Sequence, residues 1–165
     1  MIEEKRIERN ASKLLECYKP FAECVKALIL NMESLRYRPR IQHAWRSPEE
    51  QRKLFNEGFS QLQFGFHNVV DRLGNPESLA VDLLDDDFPL NTRKIYIIDL
   101  ARQCKPLGLI TGIDWGLPYE LKKKLHGVID TRDLDAIETV KIGWDPCHIQ
   151  VKNIKLSDVM KGYRP

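Results

Sequence analysis

No apolar run in this sequence is long. Ala27-Leu28-Ile29-Leu30 is among the longest, far short of the ~20 residues a helix needs to cross a bilayer. The opening residues, Met1-Ile2-Glu3-Glu4-Lys5-Arg6, are charged and form no apolar h-region. No secretory signal peptide is therefore expected, and the chain reads as a soluble protein made in the cytoplasm, with no stable membrane association. Neither sign of charge dominates: the formal net charge is +2, with acids and bases interspersed. That leaves no clustered basic face of the kind nucleic-acid binding uses. The four cysteines, Cys17, Cys24, Cys104 and Cys147, show no C-x-x-C spacing, so they read as reduced thiols rather than a disulfide framework. Internal repeats, low-complexity tracts and an obvious inter-domain linker are missing too. At 165 residues the chain suits one domain with a real core.

What is present divides into a helical lead and a mixed body. Residues 2–17 have the spacing of an amphipathic helix, with Ile7, Ala11, Leu14 and Leu15 near one face, and Pro20 ends it. Phe21, Val25, Leu28, Ile29 and Met32 predict a second helix over 21–36. Residues 1–37 thus form a helical extension, and 38–165 the body, the two packed as one unit. A strand is expected over 38–45. Then comes a strong helix start, with Ser47 as N-cap, Pro48 at the first helical position, Glu50 closing a capping box and Gly58 as the stop. Residues 59–78 are loop. Leu79-Ala80-Val81-Asp82-Leu83-Leu84 predicts a short central strand, and Asp85-Asp86-Asp87 a solvated turn after it. A helix over 91–105 ends at Pro106. A short strand and glycine-rich turn cover 107–116, short helices are expected at 118–125, 134–140 and 157–160, and a last strand spans 147–151. The fold class is α+β, a small, mainly antiparallel sheet flanked by helices.

Three residues stand out for chemistry. Asp82 lies inside an apolar strand, where a carboxylate without a partner is costly. His67 follows Gly65-Phe66 in a loop, and His148 sits on the last strand, sharing a face with Gln150. Taken alone, a histidine in a soluble domain is usually no ligand. Two imidazoles and a carboxylate together, however, are a standard three-ligand set for a catalytic zinc, with the fourth position open to water. Pro146 interrupts regular pairing, placing Asp145 in the turn before the strand, three residues ahead of His148 and able to face the same metal as a proton acceptor. Arg46, between strand and helix, is a candidate for holding a carboxylate or a developing oxyanion. His43 stands near Arg46. Cys147 points away from His148 on a strand, and His126 has no such setting.

Three blocks carry a resemblance. They are Ala44-Trp45-Arg46-Ser47-Pro48-Glu49-Glu50 through Gly58; Phe66-His67 with Ser78-Leu79-Ala80-Val81-Asp82-Leu83; and Trp144-Asp145-Pro146-Cys147-His148-Ile149-Gln150. Together with Gly112 and Asp114-Trp115, the pattern resembles the zinc metallopeptidase family of D-alanyl-D-alanine carboxypeptidases and L-alanyl-D-glutamate endopeptidases, and its phage endolysin branch most. The likeness covers roughly residues 38–152. It implies a fold shared with the signalling domain of Hedgehog proteins, and one zinc ion on His67, Asp82 and His148. It further implies Asp145 as acid/base and Arg46 as the stabilising arginine. The substrate it implies is peptidoglycan stem peptide, cut at the L-alanyl-D-glutamate bond by a monomer released to the wall through a holin-type pore. A D-alanyl-D-alanine carboxypeptidase and a non-catalytic zinc-containing binding or structural protein are the alternatives. The chain departs from the family in three places: fifteen positions separate His67 from Asp82, more than in many members; His43-Ala44-Trp45 precede the arginine; and the acid is an aspartate rather than a glutamate.

Overall fold

Two helices lead, α1 (Glu3–Leu14) and α2 (Lys19–Ser34), with Pro20 in the first turn of the second. Strand β1 (Pro39–His43) and helix α3 (Pro48–Asn56) follow, then a 3-10 turn at Phe66–Asn68 and strand β2 (Ala80–Asp85). Helix α4 (Lys94–Cys104) and a 3-10 turn at Lys105–Leu107 precede β3 (Leu109–Gly112). The chain closes with α5 (Tyr119–Thr131), α6 (Leu134–Thr139), β4 (Asp145–Val151) and α7 (Leu156–Met160). This computed structural model describes residues 2–165. The four strands form one antiparallel sheet in the order β1-β2-β4-β3, so β2 and β4 are central. The fold is α+β, as the element order predicts. Among the described residues no helix is long and apolar enough to cross a membrane.

Alternation along the central strands separates core from site. Val81 and Leu83 are buried, and Tyr96, Ile98 and Leu100 of α4 and Phe21, Val25, Leu28 and Met32 of α2 join the same core. The Tyr96 hydroxyl donates to the Leu83 carbonyl at 3.1 Å, which satisfies the one polar atom this large ring carries into the interior. Asp82, between Val81 and Leu83, therefore projects from the opposite face. The capping box forms as expected. Ser47 Oγ accepts from the Glu50 N–H at 3.2 Å, and the Glu50 carboxylate accepts from the Ser47 N–H at 2.8 Å.

Several expectations need correction. The apolar stripe of the first helix is not its packing face: Ile7 and Leu15 are exposed, and the buried residues of α1 are Arg6 and Asn10. The reason lies in the sheet. β1 is an edge strand whose outward backbone groups need partners, and α1 supplies them from polar side chains. Asn10 donates to Pro39 O at 2.9 Å and accepts from Ile41 N at 2.8 Å, as a neighbouring strand would. Arg6 donates to Pro39 O at 2.7 Å, and Arg9 to Ile41 O and Gln42 O, both at 2.8 Å. Asn10→Ala leaves the Ile41 N–H without this partner, while the Pro39 carbonyl keeps Arg6, and is expected to cost about 2 kcal/mol. In urea denaturation that should appear as a lower midpoint at unchanged m-value.

The acidic turn after β2 is solvated only at Asp87. Asp85 and Asp86 are buried, held by Arg93 at 3.0 Å and by Arg40 at 2.8 Å respectively. Nor is Asp145 outside the last strand. β4 begins there and includes Pro146, and the irregularity is taken up by a register shift opposite, between Thr111 and Gly112.

Candidate metal centre and active-site cleft

Three elements bring the candidate ligands together. Asp82 and His148 are direct cross-strand neighbours in the β2/β4 ladder, so their side chains share one face. His67 arrives from the loop before β2. Its 3-10 turn is tied to the strand region by Leu79 N to Phe66 O and Arg46 N to His67 O, both 3.0 Å. It is also tied by Asn68, whose side chain donates to Arg46 O at 2.9 Å. The long spacing between His67 and Asp82 is absorbed by a closed excursion. Glu77 N reaches Val69 O at 2.9 Å, Asp71 N reaches Asn75 O at 2.9 Å, and Asp71 Oδ1 accepts from Leu73 N and Asn75 N. The loop leaves and returns at nearly the same place, and Gly74, at φ +85°, makes its turn without Cβ strain.

The result is a nearly equilateral triangle. His67 Nε2 lies 3.2 Å from His148 Nδ1 and 3.3 Å from Asp82 Oδ1, and His148 Nδ1 lies 3.4 Å from Asp82 Oδ1. The other ring nitrogens settle which lone pairs face inward. His67 Nδ1 donates to the Ala44 carbonyl, and His148 Nε2 donates to Gln150 Oε1 at 3.1 Å. Each ring thereby turns its second nitrogen on the centre, the arrangement in which outer partners orient metal-binding imidazoles. Asp82 Oδ1 is sealed from solvent with no hydrogen-bond donor aligned on it, which is costly unless a cation occupies the centre.

The dimensions fit such an ion. Four ligands at ~2.0–2.1 Å in a tetrahedron stand ~3.3–3.4 Å apart, which is the spacing found. These three are the metal-capable cluster of histidine, cysteine and acidic side chains among the described residues.

Electrostatics agree with a site built for positive charge. Burial holds the His67 imidazole below its ordinary pKa, only partly offset by Asp82. Burial also works against charge on His148, but the Asp82 carboxylate outweighs it and raises that pKa. Asp82 is itself penalised by burial, yet the surrounding imidazoles carry it well below the usual carboxylate range. A proton on His148 is favoured by the same carboxylate that would bind an ion, so metal binding competes with protonation there.

The remaining expected residues sit around this centre. Arg46 pairs through Nη2 with Asp82 Oδ2, the carboxylate oxygen turned away from the triangle, and His43 Nδ1 reaches the same oxygen at 3.3 Å. Arg46 is thus brought to the site, but with one end turned onto Asp82. Asp145 Oδ2 stands 3.9 Å from His148 Nδ1, beside the ligand set and outside it. Burial first, then the charge of Asp82, raises its pKa. The Trp115 ring packs on His148 at 4.9 Å between centroids and on Trp144 at 5.6 Å. This packing needs two glycines. A Cβ on Gly112 would lie 2.3 Å from the Asp145 carbonyl, and one on Gly143 2.5 Å from the Trp115 carbonyl. Cys147 is buried without joining the cluster, and His126 pairs with Asp114 at 3.1 Å instead.

A cleft of about 600 Å³ opens over the triangle. Leu54, Phe59 and Leu62 line it together with Trp115 and Trp144, and Lys122 adds a charge. Sequence reasoning did not single out Gln150, the Ala44 carbonyl or Lys122 for this site. Gln150 alone had a signal, its i,i+2 position beside His148 on one strand face.

No protein-family model matches the chain, and no curated protein matches it. Among solved structures the chain is similar to the L-Ala D-Glu endopeptidase ChiX of Serratia marcescens, with a TM-score of 0.52 and 15% sequence identity. The alignment covers 92% of this chain and 90% of that one. The two share a fold. At that identity the likeness to ChiX extends to the path of the backbone.

Proposed function

We propose that this protein is a zinc-dependent peptidase that hydrolyses peptidoglycan stem peptides, cutting at the L-alanyl-D-glutamate bond. The observation that carries the reading is the His67–Asp82–His148 triangle, whose edges match a tetrahedral ligand set. Two imidazoles and one carboxylate suit zinc and leave a position open for substrate and water. A zinc ion held there would polarise a carbonyl and lower the pKa of water. The fold shared with ChiX, an L-Ala D-Glu endopeptidase, supports the substrate class.

The chain's own residues supply the rest. Asp145, partly exposed in the cleft beside His148, accepts the proton of the attacking water and returns it to the leaving amine. Arg46 fixes Asp82 from behind and borders the cleft, where its guanidinium supports developing negative charge. Trp115 holds the His148 ring in place and excludes water from one side. Residues 38–165 carry this chemistry, and residues 2–37 brace β1 and the turn at Ser78. A phage lysin working as a monomer, released to the wall through a holin-type pore, belongs to the same proposal.

The test is a defined muropeptide incubated with zinc-loaded protein and its products weighed by mass spectrometry. Cleavage between L-alanine and D-glutamate, abolished by a chelator and restored by zinc, is expected. Release of terminal D-alanine would reassign the enzyme as a carboxypeptidase. Full activity in metal-free protein would overturn the zinc mechanism.

A further inference from the structure

The wall of the cleft formed by Trp115, Gly116 and Trp144 also carries Lys122, a charge the chemistry above does not use. Lys122 lies in the first turns of α5, and its neighbours Lys123 and Lys124 are exposed and do not line the cleft. Its ammonium has one loose ion pair, with Asp114 Oδ2 at 3.8 Å. That same oxygen is already engaged by His126 Nε2 at 3.1 Å. The other permanent cation lining the cleft, Arg46, is turned through Nη2 onto Asp82. The same cleft is lined by Leu54, Phe59, Leu62 and the two tryptophans, and its acids are Asp82, paired with Arg46, and Asp145.

A weakly paired ammonium at the edge of a cleft, its side chain 38% exposed, is free to attract an anion that enters there. In a peptide substrate the available anion is a free carboxylate. We propose that Lys122 is a specificity-determining residue that binds a free carboxylate of the stem peptide near the scissile bond, so that the cleft takes acidic peptides in preference to their amidated counterparts. Asp114 keeps the ammonium at the wall. His126, by sharing the Asp114 oxygen, loosens that hold enough for a substrate carboxylate to compete. This inference rests on the peptidase reading and adds the identity of a recognised group.

The probes are two stem peptides that differ only at the second residue, one with D-glutamate and one with D-isoglutamine. Zinc-loaded wild-type protein is expected to hydrolyse the acidic peptide with a KM about five- to tenfold lower at similar kcat. Lys122→Met should raise the KM for the acidic peptide to that of the amidated one and leave the amidated peptide unaffected, whereas Lys122→Arg should keep the discrimination. Calorimetric titration of the matching product peptides should show the same difference in affinity. Hydrolysis of both peptides with equal KM by the wild type, or discrimination surviving in Lys122→Met, would overturn the role of Lys122 and leave the peptidase reading standing. Hydrolysis of neither peptide would remove the peptidase reading and this inference together.

Discussion

A His148→Ala protein, offered zinc and then gel-filtered, is expected to emerge with little or no metal, while the wild type retains one ion. Hydrolysis should fall at least ~10³-fold with it. Loss of an outer partner of a metal ligand alone costs ~10–100-fold in affinity or activity, and loss of the ligand itself costs more. The reason is visible in the triangle. With His148 removed, His67 Nε2 and Asp82 Oδ1 still stand 3.3 Å apart, but two donors do not hold a catalytic zinc that needs three. Proton release gives a second readout. Burial opposes charge on His148 but the Asp82 carboxylate raises its pKa, so as pH falls a proton on this imidazole increasingly competes with the ion. Zinc affinity of the wild type should therefore weaken as pH falls, with proton release measurable in buffers of different ionisation enthalpy. The release from this group should vanish in His148→Ala. A variant that binds zinc as tightly as the wild type would remove the triangle as the metal site.

Much of this centre was legible in the chain because it obeys local rules. Asp82 was conspicuous as a charge inside Leu79–Leu84, and strand alternation alone puts it on the face opposite Val81 and Leu83. The capping box at Ser47 and Glu50 is a local motif, and it forms. What escaped sequence reasoning depends on partners far along the chain. The first helix has an apolar stripe, but its buried face is Arg6 and Asn10 because an edge strand some thirty positions later needs hydrogen bonds. Asp85 and Asp86 read as a solvated turn, yet Arg93 and Arg40 bury them. The closed excursion between His67 and Asp82 shows the same limit. Ligation of one metal by His67 and Asp82 required it to fold back, but the bonds that close it, Glu77 N to Val69 O and Leu79 N to Phe66 O, had no sequence signal. Lys122 had no local signal either, since two further lysines follow it and tertiary structure alone distinguishes the one in the cleft.

Asp145→Asn should separate metal binding from catalysis. The side chain keeps its size and loses its ability to take a proton, and the position lies outside the ligand triangle, 3.9 Å from His148 Nδ1. Zinc content should therefore stay at one ion per chain. kcat should fall by ~10²–10⁴, the usual contribution of a positioned general acid–base. Activity requires the deprotonated form of Asp145 to accept the proton of water, so kcat/KM of the wild type should fall on the acid side as this carboxyl protonates. The asparagine variant should lose that fall together with the rate. Asp145→Glu keeps the carboxylate on a longer stem and should recover most of the activity, a rescue that a purely structural role would not show. The backbone here is fixed: the Asp145 carbonyl faces Gly112, where even a Cβ would come within 2.3 Å. The side chain of a glutamate must therefore adjust by its own torsions, which an extra methylene permits. If Asp145→Asn hydrolyses stem peptide at the wild-type rate, proton transfer belongs to another group in the cleft. His43, 3.3 Å from Asp82, is then the residue to replace. A zinc-loaded wild type with no hydrolytic activity for the substitution to remove would instead mark the protein as a binding domain that keeps the fold and the metal.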